Sequence, residues 1–545
     1  MLPVELPPTD SQVEPETRDL AGTRHWISQL QLTDVPRAQR SVRDQIELLN
    51  RFPLPPDTRL PVLEELLDTV DYVQTEYARR LVGKPLPLQE RDMGILRAIT
   101  GLWRAVAVGY ARALQEAMDA RRGEKELARA CYRAMGCIAR AMLDHVRMSY
   151  EFDPELWREI HGYYALAEEL EFTQVPVIAG DAGRSRSCAD LYVRILLVFH
   201  ANPYELSRAQ YALLERWLGE WVPLVPLSRV APRMGEGAPP LEVNLSSAAG
   251  LRPPDTGGFS TALRYMDMAG ISKEIRVKLV LLSQGQPPQS LGLGDAPADD
   301  CIELLEFLQR HWCEGMVQRM FERRPSRDTS EVCFGFETIH SQLSGRPFQQ
   351  PRKAGELTEH ERKQIAALGH RASETTRIRR DKAATPSVET WGIEDQSAQG
   401  LRLLVREEVG ERLSIGRLIA TRPSDRKRFN LGVVRWIMVN RDGHLRVGIR
   451  SLPGEPVSVA VRRTGVNVPA GEKYIAALML PAVAAVQIPP TVVLPAGWFR
   501  PKRVVEVHDY KLLSRIQMNY VVEKGRDFER ISFTDLPEFA GPAAS

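Results

Sequence analysis

The sequence predicts a multidomain α+β protein, with an all-helical N-terminal domain followed by a C-terminal antiparallel β-barrel that carries a further β extension. Three observations carry that prediction. The chain has 545 residues, more than one hydrophobic core fills. Apolar residues recur at helical spacing from about residue 37 to 225. After Arg327 the texture changes to short runs rich in β-branched residues, punctuated by Gly, Pro and an Asp-Gly pair.

Taken in order, residues 1–36 are Pro-rich, carry no apolar period and are expected to form a flexible arm. In the helical domain, 37–225, Leu63, Leu66, Val70, Val73 and Tyr77 form one stripe. Ile95, Ile99, Leu102, Val106 and Tyr110 form another. Ser207-Arg208-Ala209-Gln210 is a capping box that starts a helix before Tyr211, Leu214 and Trp217. Residues 226–320 form a mixed connecting region, dense in Pro and Gly at first and helical in spacing over 262–283 and 300–322.

The barrel is expected over 321–455. Its first strand-like run holds Val332, Phe334, Phe336 and Ile339. A polar insertion follows over 343–388, with a short helix after Thr358. Strands then run over Val388–Glu394, Leu401–Val405, Ser414–Ala420, Leu431–Asn440 and Leu445–Ser451, the last two joined by a turn at Asp442-Gly443. Residues 456–545 form the β extension. Within it Tyr474–Phe499 bears no charge, but Pro481, Pro489, Pro490 and Pro495 would break a membrane-spanning helix, so strands are expected.

Composition narrows the function classes. A net charge of +2 gives no field for DNA or an anionic membrane. Six scattered cysteines, Cys131, Cys137, Cys188, Cys301, Cys313 and Cys333, read as buried free thiols of a reducing compartment. With no signal peptide in the Met1–Arg40 stretch, a cytoplasmic location is expected. The sequence holds no Walker loop, Rossmann fingerprint, Gly-x-Ser-x-Gly or His-Glu-x-x-His, so no enzyme and no cofactor is expected. Cys301, His311 and Cys313 lack zinc spacing and read as core packing.

Two pieces carry the chemistry. Arg323-x-x-x-Arg327 places two guanidinium groups on an extended, Pro-interrupted segment, and such forks suit phosphates and the acceptor edge of guanine. Asp395-x-Ser397-x-x-Gly400 places a carboxylate that accepts from guanine N–H donors, with a glycine that permits close approach. The bland readings are a solvated helix end for the arginines and a ligand-free turn for Asp395. The Arg pair alone carries no information, because such pairs arise often by chance in so Arg-rich a chain.

With Gly432-Val433-Val434-Arg435-Trp436 and Val447-Gly448-Ile449 downstream, the two pieces resemble the PilZ domain, a six-stranded antiparallel barrel that binds cyclic di-GMP in bacteria. The resemblance covers about residues 320–455. It implies that Arg323 and Arg327 grip phosphates and guanine from the linker, that Asp395 and Ser397 contact a guanine, and that Gly400 keeps the turn open. The departure is the insertion, which separates Arg327 from Asp395 far beyond the usual strand and turn. Arg377, Arg379 and Arg380, nearer to Asp395, stand as accessory candidates. A fainter echo, Arg229 and Arg233 with Asn244, Ser246 and Gly250, is read as coincidence or a decayed copy. The expected function is a cyclic di-GMP receptor that passes the signal to a protein partner through the helical domain. The alternative is a ligand-free scaffold that works by protein–protein contact.

Overall fold

The computed structural model describes the chain apart from residues 1, 56, 180–184, 233–237, 256–259, 315–323, 352–387, 398, 406–412, 466–467, 469–470, 484–487, 510–511 and 537–545. The chain divides into two compact units, Met1–Met320 with Met438–Gly443, and Phe321–Ile437 with His444–Ser545.

The first unit is built on helices α1 (Leu20–Gln29), α2 (Val35–Arg51), α3 (Arg59–Ala78), α4 (Glu90–Asp119), α5 (Glu124–Arg147), α6 (Glu155–Glu169), α7 (Cys188–His200), α8 (Arg208–Trp221), α9 (Ala269–Ser283) and α10 (Ala298–Leu308). The long helices α4 and α5 both open with carboxylates in the first turn, where the helix dipole favours negative charge. Both predicted stripes are buried at Leu63, Leu66, Val70 and Val73 and at Ile99, Leu102, Val106 and Tyr110. A side chain on Gly109 would put its Cβ 2.8 Å from Asn50 and 3.1 Å from Leu63, so glycine sets how closely α2, α3 and α4 approach. The fully buried Arg59 binds Glu116 at 2.8 Å and donates to the carbonyls of Leu49 and Phe52, tying the α2–α3 turn to α4. The capping box at α8 forms as expected: Ser207 N donates to Gln210 Oε1 at 2.9 Å and Gln210 N to Ser207 Oγ at 3.3 Å.

The expected arm over 1–36 is corrected. It carries α1, whose N-terminus is capped by Asp19 accepting from Gly22 N at 2.8 Å, and it buries Thr23 and Trp26. Asp10 N donates to the Arg51 carbonyl at 2.8 Å. Prolines hid this segment from a periodicity reading, because its order comes from packing and not from a helical stripe.

Strands β1 (Ile178–Ala179) and β2 (Ser185–Arg186) pair with each other. Strands β3 (Leu227–Ser228), β4 (Leu241–Asn244) and β5 (Leu263–Met266) form a sheet in the order β3-β5-β4. Here the fainter echo resolves into local structure. Asn244 Oδ1 accepts from Ser246 N at 2.9 Å and Arg229 pairs with Glu168 at 2.9 Å, while Arg233 lies outside the described residues.

In the second unit, β6 (Arg324–Pro325), β7 (Thr329–Phe334), β8 (Glu389–Ser397), β9 (Gly400–Val405), β10 (Leu418–Pro423), β11 (Asn430–Val439) and β12 (Leu445–Ser451) run in the order β6-β8-β7-β10-β11-β12-β9. Strand β9 pairs back onto β8, which closes the ring, and β6 continues along β8 beyond β7. Phe336 and Ile339, expected in the first strand, stand instead on helix α11 (Phe336–Ser344). The chain leaves β7 at Gly335, whose φ of +79° favours glycine. The strand expected over Ser414–Ala420 starts later, at Leu418, because Arg417 N closes a turn onto the Ser414 carbonyl. Most of the polar insertion, with the helix expected after Thr358, lies outside the described residues.

The β extension proves to be a barrel of its own. Strands β13 (Val457–Arg463), β14 (Ile475–Leu480), β15 (Thr491–Pro495), β16 (Val504–His508), β17 (Leu513–Lys524) and β18 (Phe528–Leu536) close in the order β13-β14-β15-β18-β17-β16. Its interior holds Val461, Ala477, Val492, Val505, Ile516 and Ile531. Leu478, Leu480 and Val493 alternate with these, so they face outward and pack with Cys333, Leu418, Leu431 and Val433 of the first barrel. The uncharged Tyr474–Phe499 stretch thus supplies β14 and β15, and among the described residues no helix is long and apolar enough to cross a membrane. All six cysteines are buried, and none is in a disulfide.

Candidate ligand-binding face

The site begins with a register fault in β8. Trp391 and Ile393 point into the first barrel, each 3% exposed. Strict alternation would send Asp395 and Ser397 the same way. The ladder to β9 instead jumps from Ile393↔Leu403 to Asp395↔Arg402, leaving Glu394 as an extra residue. This β-bulge turns Asp395 and Ser397 to the outer face. Glu394 is held outside as well, by Arg446 Nε at 2.9 Å.

A row of side chains then crosses the outer face. Asp395 Oδ2 lies 3.2 Å from Arg402 Nε, although that N–H is not aimed at a hydrogen-bond acceptor. Arg402 is the register partner of Gly448 on β12, and its guanidinium carbon lies 5.9 Å from the centroid of the Trp436 ring. The indole covers Gly448 so closely that a Cβ there would sit 2.1 Å from the ring, so only glycine lets the tryptophan lie flat on the strand. Asp395, Arg402 and Trp436 together form a wall with one acceptor, one fork and one aromatic plane. That combination suits a purine: N–H donors meet the carboxylate, and the base stacks on indole or guanidinium.

The arginine segment lies beside this row. Pro325 on β6 is the ladder partner of Asp395, Arg324 partners Gln396, and Ser326 N donates to the Glu394 carbonyl at 3.0 Å. Despite the long insertion, the linker and the acidic motif are therefore neighbours. Arg327 is exposed, and its side chain has no partner among the described residues. Arg323, Arg377, Arg379 and Arg380 lie outside the described residues.

Ser397 and Gly400 have structural duties. Ser397 Oγ accepts from Gln399 N at 3.3 Å and donates to the Gly400 carbonyl at 3.4 Å, forming the β8–β9 turn. A Cβ on Gly400 would lie 2.2 Å from the Ile449 carbonyl oxygen, so the glycine is required by the approach of β12. Sequence reasoning missed the roles of Arg402, Trp436 and Gly448. Their signals were a charged residue between Leu401 and Leu403, and a glycine in mid-strand.

Cys301 and Cys313, read from the sequence as core packing, are buried, and His311 Nδ1 lies 2.9 Å from the Phe307 carbonyl. No cluster of metal-ligating side chains occurs among the described residues.

Comparison with known proteins adds three family matches and one relative. Residues 21–233 match the N-terminal domain of the cyclic-di-GMP receptor FimW, residues 349–454 its middle PilZ domain, and residues 459–536 its C-terminal β-barrel domain. A protein of Pseudomonas aeruginosa named cyclic-di-GMP receptor FimW is 23% identical over 528 residues, covering 89% of this chain and 85% of that one. The middle match includes Asp395, Ser397 and Gly400 but begins after Arg323–Arg327, of which the strand pairing sets Arg324 and Pro325 beside Gln396 and Asp395.

Proposed function

The chain is a PilZ-domain protein, and on that premise we propose that it is a cytoplasmic receptor for cyclic di-GMP, a binding protein and not an enzyme. The observation that carries the reading is the pairing of Pro325 with Asp395, which supports a split site bridged by the barrel edge. Arg323 and Arg327 grip the two phosphates and a guanine from the linker. Asp395 accepts from guanine N–H groups, and Ser397 and Gly400 hold the turn that presents it. Arg402 and Trp436 supply a stacking surface for the base. Each charge-assisted hydrogen bond from arginine to phosphate contributes about 1.5–3 kcal/mol. Arg377, Arg379 and Arg380 remain accessory candidates for the phosphates. The signal leaves through the arginine linker, which closes over the ligand and biases the helical domain toward a protein partner.

Isothermal titration of the full chain tests this. Wild type binds cyclic di-GMP at micromolar or tighter affinity, and the Arg323→Ala/Arg327→Ala/Asp395→Ala variant does not. A triple variant that binds like wild type refutes the site.

One observation favours a second reading, a ligand-free scaffold: Asp395 already has Arg402 beside it, and the Ser397 hydroxyl is committed to the turn. A flat wild-type titration with a well-folded protein selects that reading.

A further inference from the structure

A groove in the first unit is walled by α5, α7, α8 and α9. It consists of two adjoining cavities of about 860 and 280 Å³ that share Tyr132, Arg186, Leu191, Arg194 and Glu215. Its apolar lining includes Leu191, Trp221, Leu224 and Leu291. Six cations line the two cavities, Arg133, Arg140, Arg186, Arg194, Arg216 and Lys278, against the acids Asp190, Glu215, Glu220 and Glu274.

Most of these charges are already committed. Arg133 pairs with Glu64 and Arg140 with Asp71; Arg194 pairs with Glu215 and Lys278 with Glu274. Asp190 caps α7, accepting from Ser187 N at 2.9 Å. Arg186 and Arg216 have no ion pair among the described residues, and Arg216 is exposed. Glu220 is engaged as well, so the uncommitted charges of the groove are the two arginines, over an apolar floor.

Glycines on two walls point the same way. A Cβ on Gly219 of α8 would meet nothing within 4 Å, and one on Gly136 of α5 only Leu191 Cδ2 at 3.9 Å. The fold itself requires neither, and glycine inside a helix costs about 0.5–1 kcal/mol relative to alanine. Gly94 and Gly101 of α4 have the same freedom, so the glycines support the groove's reading while charge and shape carry it. Smooth helix walls let another backbone approach closely.

We propose that this groove seats an acidic amphipathic helix of a partner protein. Its apolar stripe packs on Leu191, Trp221 and Leu224, and its carboxylates lie against Arg186 and Arg216. The inference rests on the receptor reading only in that the first unit engages a protein; it does not depend on nucleotide binding.

The test is selection of a displayed library of random peptides on the full-length chain. Selected peptides carry Asp or Glu beside apolar residues at i, i+3, i+4 spacing. Their affinity falls about tenfold or more with Arg186→Glu/Arg216→Glu, as expected when charges of a complementary pair are reversed. Gly219→Leu fills the groove with a better helix former, so it blocks the same peptides without endangering the fold. Both variants keep the wild-type cyclic di-GMP titration, so failure here is separable from failure of the nucleotide site. Peptides without acidic bias, equal binding by the two variants, or no selected peptide at all overturn the proposal.

Discussion

The two barrels of the second unit make an instructive pair. Both close from short antiparallel strands, and they pack against each other through Leu431 and Val433 on one side and Leu478, Leu480 and Val493 on the other. Each carries a carboxylate on its outer wall, in different company. In the second barrel Glu506 is 5% exposed, bound by Arg462 at 2.6 Å and Arg515 at 3.0 Å, with Tyr474 Oη at 3.4 Å and the Arg462 guanidinium 4.7 Å from the Tyr474 ring. Burial alone would raise its pKa, but hydrogen bonds from the two arginines carry it below the usual carboxylate value. In the first barrel the bulge at Glu394 presents Asp395 beside an arginine segment that includes Arg327, exposed and without a partner among the described residues. The same architecture sets one carboxylate between two arginines and the other against one arginine, Arg402, beside a segment of exposed arginines. The register slip, not the barrel architecture, sets which residues face outward on the first wall.

The comparison breaks most sharply at the arginines and the acid. Arg323→Ala, Arg327→Ala and Asp395→Ala together lower cyclic di-GMP affinity by more than about a hundredfold in calorimetry, since each lost charged partner is worth about 1.5–3 kcal/mol. Arg462→Ala with Arg515→Ala in the second barrel leaves that affinity unchanged. Next in size, Trp436→Ala weakens binding about tenfold, at the lower end of the roughly 1–3 kcal/mol per stacked base. The matched Tyr474→Ala has no effect on the titration.

Glu506→Gln sharpens the contrast from the other side. It lowers unfolding stability by about 1–2 kcal/mol in denaturant melts, because two arginines lose a charged acceptor, and it leaves nucleotide affinity intact. The smallest effect is in pH. Glu506 has a folded pKa below its ordinary 4.5, so its contribution is complete above 4.5 and is lost as pH falls through the depressed value. Wild type therefore loses stability below pH 4.5 more steeply than Glu506→Gln, as melts at a series of acidic pH values will show.

Much of this was legible in the sequence. Strands β8, β9, β11 and β12 lie where alternation placed them, the turn at Asp442-Gly443 forms, and the capping box at Ser207 closes. What escaped reading depends on non-local packing. Helix α1 forms because Trp26 and Thr23 find a surface to bury against, which a Pro-rich stretch does not advertise. Phe336 and Ile339 keep a strand-like composition, yet they sit on a helix wedged between the barrels. Asp395, Ser397 and Gly400 were visible as a motif, but the bulge that turns Asp395 and Ser397 outward is a property of two strands in register. Trp436 and Gly448 make sense only as a pair facing each other across strands. The extension beyond residue 456 read as strands, but barrel closure joins β13 to β16 across intervening chain that no local pattern reports.

The most direct test of the central claim is amide hydrogen exchange of the full chain with and without cyclic di-GMP. The account predicts new protection over residues 324–328 and 394–402, with Val504–Lys524 of the second barrel unchanged. Protection confined to the second barrel or the helical unit, or none under conditions where calorimetry detects binding, would contradict it.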